Sequence, residues 1–357
     1  MSSADSAFFA PSVVTWQKEH GRHHLPWQRS RDPYRVWLSE VMLQQTQVAT
    51  VLGYYERFLA RFPDVVALAA APDDEVLALW SGLGYYSRAR NLHKAAQMVV
   101  ELHAGHFPQS AAQLAQLPGI GRSTAAAIAA FCFDERVPIL DANVRRVLTR
   151  YLAFDADLAR PANEKALWLH AEELLPEQPQ DMPAYTQGLM DLGATVCLAS
   201  RPSCLVCPLA ERCRAKAHGQ AESFPVRTRT LKRRTEVWWL LVLHDAEHRV
   251  WLEKRPAPGI WAGLKCPPVC ADETALEEKA ARVGAHHSRF LPVVRHALTH
   301  RDLVLTPVLM AVAAPGSGNA GELGKGEWAH ADQWAQMGLP APIRTLLTEL
   351  ASQGLGF

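Results

Sequence analysis

The chain has 357 residues, a formal net charge of +1 and 48% hydrophobic residues. This length predicts two domains, and the near-neutral charge excludes a global basic field, so any nucleic-acid binding must come from local patches. The first residues lack the charged start and apolar core of a signal peptide, and no segment has the roughly twenty apolar residues of a membrane span. We therefore expect a soluble cytoplasmic protein, in which seven cysteines favour metal or redox chemistry over disulfides.

The stretch 25–51 predicts an amphipathic helix that starts at Pro33, after a first helix predicted at 8–24. Glu40 lies on or beside the apolar stripe of this helix. A carboxyl group in apolar surroundings has a raised pKa and can donate a proton near neutral pH, as a general acid must. A buried structural glutamate in an ion pair is the alternative. Gln45 adds an amide that can read base edges or fill the gap left by an extruded base, unless it is an ordinary surface residue.

A Gly-x-Gly loop with two tyrosines lies inside the stretch 80–96, between a helix and a basic helix. Tyr85 in this loop is a candidate wedge that stacks between DNA bases. Arg88 and Arg90 are candidate contacts to the neighbouring phosphates. A packed loop with core tyrosines is the competing interpretation.

The most informative stretch, 117–143, opens with a Pro-Gly-x-Gly turn and continues into an alanine-rich helix. Gly119 and Gly121 can adopt backbone angles that other residues avoid, and such a turn exposes backbone N–H groups to an outside anion. The helix starts at Arg122, so the positive end of its dipole faces the same anion. This pattern predicts a helix-hairpin-helix that binds a DNA phosphate. An ordinary helical hairpin with a glycine turn is the alternative.

Asp141 ends the same stretch, directly ahead of a basic helix. It is either an ordinary N-cap or a functional carboxylate that the helix dipole and backbone N–H groups keep ionised. Such an anion can stabilise a positive sugar centre. Glu40 and Asp141 would then be an acid and an anion whose surroundings push their pKa values apart, which is how one site divides two roles.

Four cysteines form a C-x6-C-x2-C-x5-C pattern: Cys197, Cys204, Cys207 and Cys213. Four thiolates this close suit an iron–sulfur cluster or a zinc ion. Structural zinc favours paired C-x2-C knuckles, and only one such pair is present, so the pattern favours the cluster over zinc. The basic residues nearby that could contact DNA phosphates are Arg201, Arg212, Arg214 and Lys216.

The segment 218–235 is polar, basic and without clear periodicity, so we interpret it as a linker. After it, the pattern changes from helix to strand. Strands are predicted at 236–244, 249–255, 289–297 and 302–312, and helices at 272–283 and 341–352. A mobile Gly/Ala-rich loop is expected at 313–326. The second domain is therefore predicted to be α+β.

Five stretches together resemble the adenine DNA glycosylases of the MutY type, which belong to the endonuclease III superfamily. In chain order they are PYRVWLSEVMLQQTQV, GLGYYSRARNL, LPGIGRSTAAA, VPILDANVRRVL and the cysteine loop at 197–213. The resemblance implies a mostly α-helical helix-hairpin-helix glycosylase domain with an iron–sulfur loop at 1–217. Beyond the linker it implies an α+β, Nudix-like domain at 236–357 that recognises 8-oxoguanine.

The resemblance also implies a base-excision enzyme that flips out adenine paired with 8-oxoguanine or guanine and hydrolyses its N-glycosidic bond. Glu40 matches the general acid, and Asp141 matches the carboxylate that stabilises the oxocarbenium-like sugar. Asn143 matches a residue that orients the catalytic water. Ser123 occupies the position at which bifunctional relatives carry a Schiff-base lysine. A serine cannot form a stable imine, so we expect a monofunctional enzyme with little or no strand cleavage.

Gln45 and Tyr85 match residues that wedge into the duplex around 8-oxoguanine, and the four cysteines match the ligands of a [4Fe-4S] cluster. Thr299 and His300, preceded by Leu298, occupy the recognition loop in which the family commonly has Phe-Ser-His. Threonine keeps the hydroxyl group, whereas leucine removes the aromatic ring. The stretch 263–285 lacks the Arg-Glu pair and the glutamates in the register of a metal-binding Nudix box, so we expect no nucleotide hydrolysis.

The expected partner is double-stranded DNA with A:8-oxoguanine or A:G mispairs, bound by a monomer in the cytoplasm in association with the nucleoid. An endonuclease III-like glycosylase and lyase on oxidised pyrimidines is the first alternative. A non-catalytic iron–sulfur protein that binds DNA is the second, and Glu40 and Asp141 would then be purely structural.

Overall fold

A computed structural model of the chain describes residues 3–228, 233–312, 323 and 325–353. Most of the loop predicted at 313–326 lies outside the described residues. The chain divides into two compact units. We call them the helical unit, residues 1–69 and 94–230, and the sheet unit, residues 70–93 and 231–357.

The α-helices in chain order are α1 (Ser3–His20), α2 (Pro33–Leu43), α3 (Val48–Arg61), α4 (Val65–Ala69), α5 (Asp73–Trp80), α6 (Ser87–His103), α7 (Ala111–Leu114), α8 (Arg122–Phe133), α9 (Ala142–Leu152), α10 (Pro161–Glu173), α11 (Met182–Thr195), α12 (Arg214–Ala217), α13 (Glu273–Arg282) and α14 (Ala341–Ser352). Single 3-10 turns lie at Pro26–Arg29, Pro179–Asp181, Cys204–Val206, Ala221–Ser223 and Trp334–Gln336. Within the described ranges, no helix is both long and apolar enough to cross a membrane.

Helices α1, α9 and α11 form the centre of the helical unit. The ring of Phe9 on α1 meets the edge of Tyr151 on α9, with 4.6 Å between the ring centroids. Gly188 on α11 lets α1 come close, because a Cβ at this position would lie 2.7 Å from Cγ1 of Val13. All three helices bury apolar side chains in one continuous cluster, and this burial is the main favourable contribution to their packing.

A second glycine fixes the position of α9 against α11. A Cβ on Gly193 would lie 2.6 Å from Cβ of Asn143 and 3.0 Å from its Cα. Only glycine therefore allows the first turn of α9 to pack this closely, since an added methyl group would displace backbone. The start of α9, where Asp141 is located, is positioned by this contact.

The turn between α7 and α8 forms the predicted hairpin. Gly119 has a φ of +77°, in the left-handed region that favours glycine. Gly121 differs from the prediction, because its φ of −81° is one that any residue can adopt. No atom lies within 4 Å of the position that its Cβ would occupy. What Gly121 provides is therefore open space at the N-terminus of α8.

The sheet unit contains one mixed sheet of eight strands. These are β1 (Arg234–His244), β2 (Val250–Lys254), β3 (Lys265–Cys266), β4 (Val269–Cys270), β5 (His286–Phe290), β6 (Val294–Ala297), β7 (Arg301–Ala311) and β8 (Gly326–Ala329). The central pair, β1 and β7, is parallel, with Val237 opposite Val304, and the other pairs are antiparallel. The order along the sheet is β3-β2-β1-β7-β5, while β4, β6 and β8 pair with β1, β7 and β2.

The predicted change from helix to strand is confirmed, and the strands predicted at 236–244 and 249–255 correspond to β1 and β2, which pair as an antiparallel hairpin. The single strand predicted at 289–297 is wrong, because β5 and β6 are separate strands with Pro292 between them. Proline has no N–H to donate to a strand ladder, so the chain leaves the sheet there. The short strands β3, β4 and β8 were not predicted, since two to four residues show no periodicity.

The segment 70–93 packs on the C-terminal part of the chain. The hydroxyl groups of Ser81 and Tyr86 both donate to the carbonyl of Leu339, at 2.7 and 3.1 Å. Nη1 of Arg90 donates to the carbonyl of Ala262 at 2.6 Å. The sheet unit therefore includes the loop that carries Tyr85.

Candidate active site

Glu40 lies near the C-terminal end of α2. Asp32 caps this helix by accepting a hydrogen bond from the N–H of Arg35 at 2.9 Å, and Pro33 occupies its first turn. Burial, together with the negative charge of Asp141, raises the pKa of Glu40 from 4.5 to about 8. Glu40 therefore keeps its proton at neutral pH, as a general acid requires.

Glu40 lines a cavity of about 270 Å³ in the helical unit. This volume is close to the lower end of the range for small-molecule pockets, about 300 Å³. Gln28 and Gln187 line the same cavity. Both polar atoms of the Gln28 amide are buried and have no hydrogen-bond partner among the described residues. Because a buried amide without a partner costs free energy, a planar polar ligand in this cavity would gain binding from it.

Asp191 orients the amide of Gln187. This aspartate is fully buried and accepts hydrogen bonds from the backbone N–H of Arg22 at 3.0 Å and from its Nε at 2.7 Å. Nε2 of Gln187 donates to Oδ1 of Asp191 at 2.8 Å. A carboxylate paired with arginine only accepts, so it holds the amide nitrogen and leaves Oε1 of Gln187 as an available acceptor.

Sequence reasoning missed this group of Gln28, Gln187, Asp191 and Arg22. One signal was present in the sequence. Gln187 and Asp191 are polar residues four positions apart in α11, a mostly apolar helix, and such residues share one helix face.

Asp141 is the N-cap of α9, because its Oδ1 accepts a hydrogen bond from the N–H of Val144 at 2.7 Å. Burial raises the pKa of Asp141, while the N–H groups of Val144 and Asn143 and the charges of Arg146 and Arg145 act in the opposite direction. That the helix start keeps Asp141 ionised stays a prediction, because the raised direction of its pKa does not by itself fix the charge at neutral pH. Desolvation raises this pKa more than the N–H groups at the start of α9 lower it. A positive centre beside Asp141 would therefore offset part of the electrostatic cost of its burial.

Ser123 and Asn143 flank Asp141. Oγ of Ser123 accepts a hydrogen bond from the N–H of Leu140 at 3.0 Å, so α8 fixes the residue that precedes Asp141. Oδ1 of Asn143 accepts a hydrogen bond at 2.8 Å from Arg146 on α9. The amide nitrogen of Asn143 is the part of this side chain that remains to donate. The three candidate residues therefore lie together at the start of α9.

The four cysteines line one small cavity of about 30 Å³, beside Arg150. Nη1 of Arg150 donates to Sγ of Cys197 at 3.3 Å and to the carbonyl of Leu198 at 2.6 Å. Arg146 donates to the carbonyl of Cys197 at 2.8 Å. In the part of the chain that the structure describes, no three or more His, Cys, Asp or Glu side chains are placed so that they could hold a metal ion. The basic residues predicted near this loop are all exposed: Arg201, Arg212, Arg214 and Lys216.

Gln45 and Tyr85, the two predicted wedge residues, both have a positive φ, +56° and +49°. Non-glycine residues rarely adopt this conformation, and such strain is concentrated at functional sites. Gln45 follows the end of α2, where Nε2 of Gln44 donates to Oγ1 of Thr124 at 3.4 Å. The helical unit thus contains one strained wedge candidate, Gln45, and the sheet unit contains the other, Tyr85.

Tyr85 and Thr299 meet in the sheet unit, although 214 positions separate them in the sequence. Tyr85 is 43% exposed, and its hydroxyl lies 3.0 Å from Oγ1 of Thr299. Thr299 and His300 form the turn between β6 and β7, which a hydrogen bond from the N–H of Leu298 to the carbonyl of Arg301 closes at 2.7 Å. The two side chains predicted to contact DNA bases therefore form one hydrogen-bonded pair.

Arg88 was predicted to contact phosphate, and the structure gives it a different position. Its guanidinium is buried and donates to the carbonyls of Leu83 and Gly84 at 3.1 and 3.3 Å. The same guanidinium lies 5.4 Å from the centroid of the Tyr85 ring. Arg88 supports the tyrosine loop from inside the unit, and Arg90 is engaged with a carbonyl as described above.

Comparison with known proteins identifies the family. Residues 38–173 match the HhH-GPD superfamily of base excision DNA repair proteins, and residues 238–349 match the NUDIX domain. The chain is 35% identical to the adenine DNA glycosylase of Buchnera aphidicola subsp. Acyrthosiphon pisum (strain APS), over 95% of this chain and 96% of that protein. The chain belongs to the adenine DNA glycosylase family. It is therefore a DNA glycosylase of base excision repair.

Two further comparisons agree with this membership. The adenine DNA glycosylase of Mus musculus is 44% identical over 63% of this chain and 45% of the mouse protein. A solved structure of a thermostable thymine-DNA glycosylase is 26% identical and covers 60% of this chain and 98% of its own, with a TM-score of 0.54. The predicted fold, a helix-hairpin-helix glycosylase domain followed by a Nudix-like domain, is confirmed.

The raised pKa of Glu40 predicts how stability depends on pH. From pH 4.5 to about 8, the unfolded chain loses the Glu40 proton while the folded chain keeps it, so this residue lowers stability progressively as pH rises. Glu40→Gln removes the titration. We expect the melting temperature of the variant to exceed that of the wild type by an amount that grows between pH 5 and 8.

The matched control is Glu56→Gln, which changes an exposed glutamate on α3. Its melting curve should follow the wild type at every pH. Parallel pH profiles for wild type and Glu40→Gln would show that Glu40 titrates alike in both states, and the assignment of a protonated acid would be lost.

Proposed function

We propose that this enzyme excises adenine opposite 8-oxoguanine, or opposite guanine, by hydrolysing the N-glycosidic bond, without cutting the DNA strand. The observation that carries the proposal is the position of Glu40 on the wall of a cavity of about 270 Å³, where burial and the charge of Asp141 raise its pKa to about 8. One carboxylic acid and one carboxylate are what cleavage of a glycosidic bond through a cationic sugar requires.

In the proposed reaction, Glu40 transfers its proton to a ring nitrogen of the extruded adenine, and the electron pair of the N-glycosidic bond leaves with the base. Asp141 faces the positive sugar that forms, and this attraction recovers the cost of its burial. Water then adds to the sugar and gives up a proton to a carboxylate of the site. The amide nitrogen of Asn143 is available to orient that water or the carboxylate.

The orientation of Gln187 supports adenine as the base. Oε1 of Gln187 is an acceptor on the cavity wall, because Nε2 is held by Asp191. Adenine has an exocyclic amino group to donate, whereas guanine has a carbonyl at the same position. A cavity with an acceptor there favours adenine, and guanine would leave two acceptors facing each other.

The surroundings of Ser123 support a monofunctional enzyme. A lyase needs an amine nucleophile that forms an imine with the sugar. The hydroxyl of Ser123 instead serves the backbone, as the acceptor for Leu140. We propose that Ser123 positions Asp141 and takes no part in strand cleavage.

Tyr85 and Thr299 support recognition of the base opposite adenine. An exposed, strained tyrosine is suited to enter a base stack. A threonine hydroxyl can donate to an acceptor or accept from the N7–H that oxidation gives to 8-oxoguanine. Because the two side chains are hydrogen-bonded, we propose that they read the oxidised base together. DNA with such a mispair is the proposed partner, with the hairpin of Gly119 and Gly121 and the exposed Gln45 loop contacting the duplex.

We propose that Cys197, Cys204, Cys207 and Cys213 hold a [4Fe-4S] cluster. Four thiols that line one cavity form the donor set of such a cluster. Structural zinc favours paired C-x2-C knuckles, and the pattern has only one such pair, Cys204 and Cys207, which supports the cluster over zinc. The cluster would cross-link the end of α11 to the loop that follows.

The function is tested with duplexes that differ only in the base facing adenine. We expect excision opposite 8-oxoguanine to be fastest, guanine next, and cytosine and thymine slowest. Strand breaks should appear only after alkali, and borohydride should trap no covalent adduct. Glu40→Gln should lower the single-turnover rate at least about a hundredfold. Breakage without alkali would support a lyase, and binding without an abasic product would support a non-catalytic protein.

Gln187→Met removes the proposed adenine acceptor while keeping the side-chain length and the Arg22–Asp191 pair. We expect the rate of adenine excision to fall about tenfold to a hundredfold with an unchanged melting temperature. Gln116→Met, at an exposed position, is the control. An unaltered excision rate in Gln187→Met would exclude this residue from base recognition.

The proposed cluster is tested by measuring the metal content of the purified protein. Purified protein should be brown, with about four iron atoms per chain. Cys204→Ser should lose most of the iron, whereas Cys132→Ser, outside the four-cysteine pattern, should retain it. Colourless protein with one zinc ion per chain would refute the cluster.

A further inference from the structure

Arg255 is a cation of the sheet unit for which the structure describes no acceptor. It forms no side-chain hydrogen bond or ion pair with any described residue, and its Nε is buried without a partner. Its backbone carbonyl accepts a hydrogen bond from the N–H of Gly263, and its N–H donates to the carbonyl of Leu264. The backbone at this position is therefore fixed. Burying part of a charged group without a partner costs free energy, and a bound anion would remove much of this cost.

The guanidinium of Arg255 is held in place by stacking. Its Cζ lies 4.8 Å from the centroid of the Trp238 ring. Trp238 in turn meets the ring of Trp261 edge-on, with 5.3 Å between centroids. Stacking on an aromatic face leaves the planar N–H fork of arginine free to bind an anion in two-pronged geometry.

The segment around Trp261 is strained in a way that favours a functional role. Trp261 is buried and has a φ of +59°, which is unusual for a bulky residue. Strain of this kind persists only where the surrounding structure enforces it, and it is concentrated at ligand sites. Trp261 also lies 6.0 Å from the ring of His296 on β6. The pKa of His296 is lowered by burial, so this ring adds no positive charge at neutral pH.

The carboxylates of this part of the sheet unit are already paired with other cations. Asp74 binds Lys254 at 3.1 Å, Glu253 binds Lys279 at 2.9 Å, and Glu236 pairs with Arg301. Among the described residues, these three carboxylates are therefore not free to pair with Arg255. An external anion would supply the missing acceptor.

The position of Arg255 connects it to the pair that reads the oxidised base. The stack of Arg255, Trp238 and Trp261 ends on His296, three residues before Thr299 along the chain. Arg90, which follows the Tyr85 loop, donates to the carbonyl of Ala262 in the same turn as Trp261. An anion at Arg255 would thus be bound by the same unit that holds the Tyr85–Thr299 pair, through contacts that lead toward both residues.

We propose that Arg255 binds a backbone phosphate of the DNA strand whose base is held by Tyr85 and Thr299. This inference rests on the proposed function and assigns the phosphate contact that the sequence had placed at Arg88 and Arg90. A phosphate contact positions the duplex without reading its sequence, so Arg255 sets the register of the strand while Thr299 reads the base.

The test measures how DNA binding depends on salt. Arg255→Met keeps an apolar side chain over Trp238 but removes the charge. The probe is a duplex with 8-oxoguanine opposite a 2′-fluoro adenosine, which resists excision because fluorine destabilises a positive sugar. A second duplex carries no lesion. Dissociation constants are measured from about 50 to 200 mM salt, where phosphate contacts change affinity strongly.

We expect Arg255→Met to reduce the slope of log K against log[salt] by about one for both duplexes, with affinity about three- to tenfold weaker at the low-salt end. Arg255→Lys keeps the charge and should restore most of the slope. Arg282→Met, which changes an exposed arginine of α13 next to Glu278, is the control and should keep the wild-type slope. Melting temperature and tryptophan fluorescence establish that each variant is folded.

A wild-type salt slope in Arg255→Met would overturn the proposal. If the preference for the 8-oxoguanine duplex were lost at the same time, Arg255 would only support the recognition loop. Failure of the proposed function is seen separately, as a wild-type enzyme with no preference for 8-oxoguanine opposite adenine.

Discussion

The burial of two carboxyl groups, Glu40 and Asp141, is the constraint on which the rest of the helical unit depends. Each pKa is raised mainly by desolvation, so both groups cost stability in the free protein. Asp141 is partly compensated by the N–H groups at the start of α9, whereas Glu40 is relieved by holding its proton. The same environment that destabilises the fold therefore divides the two carboxyl groups into an acid and a potential anion.

Helix α9 connects this pair to the cysteine loop. Its first turn is capped by Asp141 and packs against Gly193. Its later turns carry Arg146 and Arg150, which donate to the backbone and to a sulfur of the loop. A change in the loop would act on the same helix whose N-terminus holds the catalytic candidates. The loop thus belongs to the scaffold of the site, in addition to any role of its exposed basic side chains.

The sheet unit assembles its candidate DNA-reading surface from distant parts of the sequence. Segment 70–93 contributes Tyr85, and the turn between β6 and β7 contributes Thr299. Buried Arg88 supports the first of these from inside the unit. The Nudix-like sheet therefore serves as a rigid frame for one short turn and one loop. Rigid elements that present short functional loops are a common arrangement in binding proteins.

By itself, the sequence determined the features that depend on neighbouring residues. Pro33 started a helix, the four cysteines defined their loop, and the change of periodicity separated helices from strands, because caps, spacing and alternation are local signals. Only the tertiary structure decided the raised pKa of Glu40, the orientation of Gln187 by Asp191, and the burial of Arg88. Those properties depend on which distant residues exclude water or supply a partner, and contacts between residues far apart in the chain leave no periodic trace in it.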